Sequence, residues 1–311
     1  MTTAIDTTPL PTNATVVPAP PPTAVSAPVE TVAPVETTLV GTRCGVGSTS
    51  IDVDGRAVLV RTPDSAGHAA VIIAVHGFKG TPEGLEYFSQ LSLLTNAIVA
   101  YPSGVPLDLG FGWNSGAGRF ATSKADDVAV LSDVVDVVLG TPCADPARVY
   151  LVGESNGGGM VLRAACDQRF TGRLSGLVLV NAAVDAGVLS TCADRLSTAP
   201  ISVVAVAGLQ DRIIQYDGGR EPFPPVETWF STVSERVAGC SGLPEKAPFS
   251  PTVEAITAPN CAACAVLYAI SDGTHTWPGS FEGANGQIPG SFALTTTIAE
   301  VLDGTTTPCG T

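Results

Sequence analysis

Arg148-Val149-Tyr150-Leu151-Val152-Gly153-Glu154-Ser155-Asn156-Gly157 decides how the rest of the chain is read. The run up to Val152 is rich in β-branched and aromatic residues and reads as a buried strand. Gly158-Gly159-Met160-Val161-Leu162-Arg163-Ala164-Ala165-Cys166 continues it as a helix. A serine between two glycines at a strand-to-helix turn is the nucleophile-elbow pattern. Such a turn leaves no room for Cβ atoms at Gly153 and Gly157, and glycine alone tolerates its dihedrals cheaply. The same geometry holds the Ser155 hydroxyl at a helix N-terminus, where backbone donors and the dipole favour a developing negative charge.

Around such an elbow the acid and the histidine follow the serine in the chain. The histidines are His68, His76 and His275, and only His275 lies after Ser155. It follows a predicted strand, Ala265–Ile270, in the loop Ser271-Asp272-Gly273-Thr274-His275-Thr276-Trp277-Pro278-Gly279. For the acid, Asp211 follows the predicted strand Ile201–Ala207, and active groups of open parallel sheets sit beyond the carboxyl ends of strands. Asp185 and Asp217 are the rivals, while Asp272 is expected to serve its own turn. Asp211 would hold the His275 tautomer and stabilise the imidazolium. Upstream, the predicted strand Ala70–Val75 runs into His76-Gly77-Phe78-Lys79-Gly80. The backbone N–H groups of Phe78 and Asn156 are the predicted oxyanion donors, with His76 bracing the loop.

Composition separates an arm from a core. Residues 1–42 hold eight of the 25 prolines, including Pro18-Ala19-Pro20-Pro21-Pro22, and no Lys or Arg. They read as an extended, Pro/Thr-rich, disordered linker. Residues 43–311 are the size of one α/β domain. No apolar run is long enough to span a membrane. Net charge is −14 with three lysines, Lys79, Lys124 and Lys246, a surface that repels phosphate backbones and so disfavours nucleic acid.

Eight cysteines, an even set spread over the domain, suggest disulfides and an oxidising compartment. Cys44 and Cys309 bracket the domain and are candidates to tie its ends, and Cys240 is a candidate partner for Cys261 or Cys264. Cys261-Ala262-Ala263-Cys264 precedes a strand rather than opening a helix, which argues against a redox pair, and no second such motif or nearby histidine supports a metal site. Met1-Thr2-Thr3-Ala4-Ile5-Asp6 has neither a basic nor an apolar leader segment, so export is expected with the signal peptide absent from this chain.

Five segments together resemble exported esterases of the polyhydroxybutyrate depolymerase and feruloyl esterase family. They are Gly112-Trp113-Asn114, Ala125-Asp126-Asp127-Val128, the elbow, Asp211 through Tyr216-Asp217-Gly218-Gly219, and Gly273 through His275 and Trp277 to Gly279. The resemblance covers roughly residues 44 to 302. It implies an α/β-hydrolase with a mostly parallel, doubly wound sheet, a Ser155–Asp211–His275 triad and no cofactor. It further implies a secreted serine esterase, expected as a monomer, acting on polyester or oligoester bonds, or alternatively on feruloyl or acetyl esters of plant cell walls. Glu154 departs from the family, where a smaller or apolar residue often precedes the serine; Phe78 is another departure. Between the predicted strands ending at Val180 and starting at Ile201 there is no room for a large lid. An open cleft with Trp113, Tyr216 and Trp277 as aromatic walls is therefore expected, suited to a polymer chain or an aryl ester. Asp126 and Asp127 open the helical stripe Val128, Leu131, Val134, Val135 and Val138, and are expected to cap it rather than to catalyse.

Overall fold

Strands made almost wholly of Val, Ile, Leu and Ala can only be stable with both faces covered, and the sheet is built that way. The computed structural model describes residues 44–65, 67–93, 97–107, 110–116, 124–193, 199–219, 222–280 and 292–302. The linker expected over residues 1–42 lies outside them. In chain order, β1 (Gly47–Val53) and β2 (Arg56–Thr62) form a hairpin, followed by β3 (Ala69–Val75), α1 (Pro82–Ser89) and β4 (Ala97–Pro102). A small hairpin of β5 (Val105–Leu107) and β6 (Gly110–Gly112) precedes α2 (Asp127–Leu139), β7 (Ala144–Glu154) and α3 (Asn156–Ala165). Next come β8 (Gly176–Val180), α4 (Ala186–Ala193), β9 (Ser202–Gly208) and α5 (Val226–Ala238). The hairpin β10 (Glu245–Ser250) and β11 (Val253–Thr257), then β12 (Ala265–Ile270) and α6 (Leu294–Leu302), complete the chain.

The main sheet runs β1-β2-β4-β3-β7-β8-β9-β12-β11-β10. From β4 to β12 neighbouring strands are parallel, and antiparallel strands flank them at both edges. Alternation along β3 shows how the layers form. Val71, Ile73 and Val75 pack on one face with α2, α3 and α5, while Ala70, Ile72 and Ala74 pack on the other with α1 and α6. Fully burying one such Val or Ile side chain is worth about 1.5–3 kcal/mol, so β3, buried along its whole length, anchors the fold. This is the expected doubly wound, mostly parallel architecture. Among the described residues between β8 and β9 stands the eight-residue α4, and there is no large separate lid.

Disulfides staple the helical layer. They join Cys44 to Cys143, Cys166 to Cys192, and Cys240 to Cys261, and Cys264 is disulfide-bonded as well. The expected Cys44–Cys309 tie is corrected. Cys44 lies in a β-bridge with Ser65, and the chain there runs directly into β3, whose first amide, Ala69 N–H, donates to the Cys143 carbonyl. Local strand pairing thus brings Cys143 to Cys44. Among the described residues no helix is long and apolar enough to cross a membrane.

Candidate active site

The elbow is real and strained. Ser155 has φ 52° and ψ −119°, a region that non-glycine residues seldom occupy. A Cβ at Gly157 would run into the main-chain oxygens of Val75 and His76, so only glycine allows α3 to start this close to the end of β3. Ser155 N–H donates to Val180 O at 2.8 Å, and Ser155 O accepts from Ala183 N–H at 2.8 Å. The serine main chain is therefore clamped to the segment leaving β8.

Two loops deliver side chains to the hydroxyl. His275, five residues beyond β12, places Nε2 at 2.9 Å from Ser155 Oγ and Nδ1 at 2.6 Å from Asp211 Oδ2. With Nδ1–H donating to the carboxylate, Nε2 is left to accept from the serine hydroxyl. Asp211 is 5% exposed, and its Oδ1 accepts from Ile213 N–H at 2.7 Å and Ile214 N–H at 2.9 Å. Each carboxylate oxygen thus has a fixed partner, which locks the acid's orientation. The rival Asp185 is committed elsewhere, accepting from Val188 N–H at 2.8 Å as the cap of α4, while Asp217 and Asp272 are exposed.

Sequence reasoning missed Asn181, at the end of β8. Its Oδ1 accepts from Gly208 N–H at 3.1 Å, and its Nδ2 donates to Thr274 O at 3.3 Å and Thr276 O at 2.8 Å. One side chain therefore grips the residues on either side of His275 and the strand that leads to Asp211. Its only sequence signal was an asparagine directly after a buried strand.

The loop after β3 borders the serine. A Cβ placed on Gly77 would lie 3.2 Å from Ser155 Cβ, and Phe78 follows immediately. Asn156 is the first residue of α3, a position whose amide has no acceptor within the helix. Its side chain accepts from Trp113 N–H at 2.8 Å and donates to Trp113 O at 3.2 Å and Ser115 Oγ at 3.0 Å. His76 is 1% exposed. Its Nδ1 donates to Gly77 O at 2.7 Å, and its Nε2 accepts from Gly104 N–H at 3.0 Å. Burial holds its pKa below the usual histidine value. Asp126 caps α2 through Ala129 N–H, and buried Asp127 binds Arg56 at 2.5 Å and Asn114 N–H at 2.6 Å. Among the described residues no group of three or more His, Cys, Asp or Glu side chains is arranged to hold a metal ion.

The chain matches no protein-family model. It is 30% identical over 298 residues to Putative esterase NocK of Nocardia uniformis subsp. tsuyamanensis, covering 84% of this chain and 83% of that one. The chain belongs to this esterase family. The esterase is also 30% identical over 175 residues to Feruloyl esterase B of Piromyces equi, covering 53% of this chain and only 31% of the relative's length. Among solved structures, TT1662 from Thermus thermophilus has a TM-score of 0.51 at 13% identity, covering 84% of this chain and 98% of that one. A pOPH variant in complex with pNPB has a TM-score of 0.50 at 16% identity, covering 85% and 87%. At such low identity these show the fold alone, that of the α/β-hydrolases.

In this esterase the expected aromatic walls need correction. Trp113 is fully buried, donating its indole N–H to His76 O at 2.9 Å, with its ring 5.2 Å from that of His76. Trp277 is 2% exposed, donating to Thr295 Oγ1 at 3.1 Å and packing near Phe88. Neither presents a face to a polymer; both make loop-bracing contacts, because each indole N–H found an internal acceptor. Tyr216 is half-buried, and its hydroxyl donates to Glu227 at 3.1 Å. Burial and the Glu227 charge push its phenol up.

Proposed function

We propose that the chain is an exported serine esterase in which Ser155 is the nucleophile, His275 the base and Asp211 the orienting acid. The observation that carries this reading is the unbroken contact Asp211–His275–Ser155, supplied by three different strand ends. His275 Nε2 takes the Ser155 proton as Oγ attacks the ester carbonyl carbon. The carbonyl oxygen becomes an oxyanion held by the Phe78 amide, in the loop after β3, and the Asn156 amide at the start of α3. The tetrahedral intermediate collapses by expelling the alcohol, which receives its proton from His275. Water, deprotonated by the same imidazole, then attacks the acyl group and frees Ser155. Asp211 stays ionised throughout and balances the imidazolium.

The proposed substrate is a polyester or its oligomers. The absence of a large lid between β8 and β9 supports access for an extended chain. A feruloyl or acetyl ester of a plant wall is the second reading, favoured by the partial match to Feruloyl esterase B. Three disulfides support an oxidising compartment and hence export. Hydrolysis of short p-nitrophenyl esters, methyl ferulate and polyhydroxybutyrate film, measured side by side, tests the reading. Film clearing with little ferulate release is expected; ferulate release without clearing would move the assignment to the second reading. Loss of all three activities in Ser155→Ala is required, and retention would remove Ser155 from its role.

A further inference from the structure

Several cations of the described residues answer a carboxylate: Arg56 with Asp127, Arg61 with Glu86, Arg169 with Asp126 and Asp167, Arg173 with Asp136, Arg236 with Glu235, and Lys246 with Glu227. Arg163 has no such partner although, unlike Lys79, Lys124 and Arg212, it is not exposed. It is half-buried on α3, and its Nη1 donates to Asn114 O at 2.6 Å. Asp167 feels its charge but is bound by Arg169. Among the described residues no carboxylate stands within ion-pair distance of Arg163. In a chain of net charge −14, a half-buried guanidinium without a counter-charge is unusual, because both composition and desolvation favour pairing it.

This guanidinium lines a cavity of about 300 Å³ between the loop 114–116 and the α4 residues Gly187, Val188 and Thr191. That volume is at the lower end of small-ligand sites. Ser115, in the same wall, is fully buried and accepts from Asn156 Nδ2 at 3.0 Å, which fixes the backbone of the 114–116 loop beside the guanidinium. The facing wall is α4 itself, through Gly187, Val188 and Thr191. Asp185 caps that helix, with Oδ1 on Val188 N–H. The Cys166–Cys192 disulfide ties the end of α3 to α4, so the two walls are held at a fixed separation without a ligand.

We infer that this cavity is a carboxylate-binding site, with the Arg163 guanidinium supplying the charge and the donors. A planar guanidinium fork matches a carboxylate. A doubly charged anion would meet stronger repulsion from the acidic chain, and ester hydrolysis releases carboxylates. Arg163 lies eight residues along α3 from Ser155, about 12 Å of helix, so the site is separate from the serine and stands whether or not Ser155 is the nucleophile.

The test follows the Arg163 Nε–H signal in the ¹⁵N-arginine spectrum of the full chain, assigned with Arg163→Gln, during titration with sodium acetate. Saturable movement is expected with a midpoint on the order of 1 mM for so small a ligand, and none is expected with sodium chloride at matched ionic strength. Thr191 is an exposed lining residue whose hydroxyl bonds only its own helix at Val188 O. Thr191→Glu should place an internal carboxylate in the cavity and raise the acetate midpoint at least tenfold, while the Arg163 signal persists. An Arg163 signal indifferent to acetate, moved equally by chloride, or responding in Thr191→Glu as in the parent would overturn the inference.

Discussion

His275 and His76 both stand on loops leaving the carboxyl ends of parallel strands, and both make two hydrogen bonds through the ring. His275 is held by side chains, Asp211 on one nitrogen and Ser155 on the other. His76 is held by main chain, the Gly77 carbonyl and the Gly104 amide. In the proposed mechanism the first takes the Ser155 proton, with the Asp211 carboxylate facing its Nδ1–H. The second cannot take a proton cheaply: protonation at Nε2 would set two donors against each other at Gly104, in a buried place that already lowers the pKa. Placement at a strand end is shared. The chemistry differs because of what each ring touches.

The largest contrast is expected in turnover. On the proposed mechanism, His275→Gln and Asp211→Asn should each lower kcat by about 10⁴ with little change in urea midpoint, by analogy with known catalytic triads. His76→Gln should leave kcat of the folded protein within a few-fold but destabilise it by about 1–3 kcal/mol through orphaned main-chain groups. The comparison breaks if His76→Gln abolishes turnover in a folded protein while His275→Gln does not.

Asn181→Ala sharpens it at the next level. Losing three bonds to the segments flanking Asp211 and His275 should reduce kcat about 10–100-fold with KM nearly unchanged, the mark of a positioning residue. Equal losses in kcat and in overall stability, both restored by low temperature, would reduce it to a structural role.

A smaller effect separates the rings by pH. Unfolded His76 takes up a proton near pH 6.5, whereas the folded ring resists it. The unfolded state then binds more protons, so stability should fall as pH drops below about 6.5, by at most about 1.4 kcal/mol per pH unit from this group. Chemical unfolding of the parent and His76→Gln across pH 7 to 5 should show a shallower acid slope in the variant; parallel slopes would contradict it. Smallest of all, Trp113→Phe should cost about 1 kcal/mol by leaving His76 O without its indole donor.

The parts of this architecture legible in the sequence were those with local causes. Runs such as Ala265–Ile270 became β12 with the same boundaries, and the glycines flanking Ser155 announced the turn before its geometry was known. What escaped depended on long-range pairing. Asn181 meets partners 93 and 95 residues further along the chain. Cys44 found Cys143 because of a single β-bridge that no spacing reveals. Trp113 and Trp277 had the composition of a binding wall, but an indole buries wherever its N–H finds an acceptor, and that acceptor is a property of the assembled loops.

Active-site labelling reaches the central contact most directly. The parent chain, treated with a fluorophosphonate and mapped by mass spectrometry, should carry one adduct, on Ser155, formed at least 10³-fold more slowly in His275→Gln but at near-parent rate in folded His76→Gln. An adduct on a different residue, or undiminished labelling of Ser155 once His275 is replaced, would contradict the account.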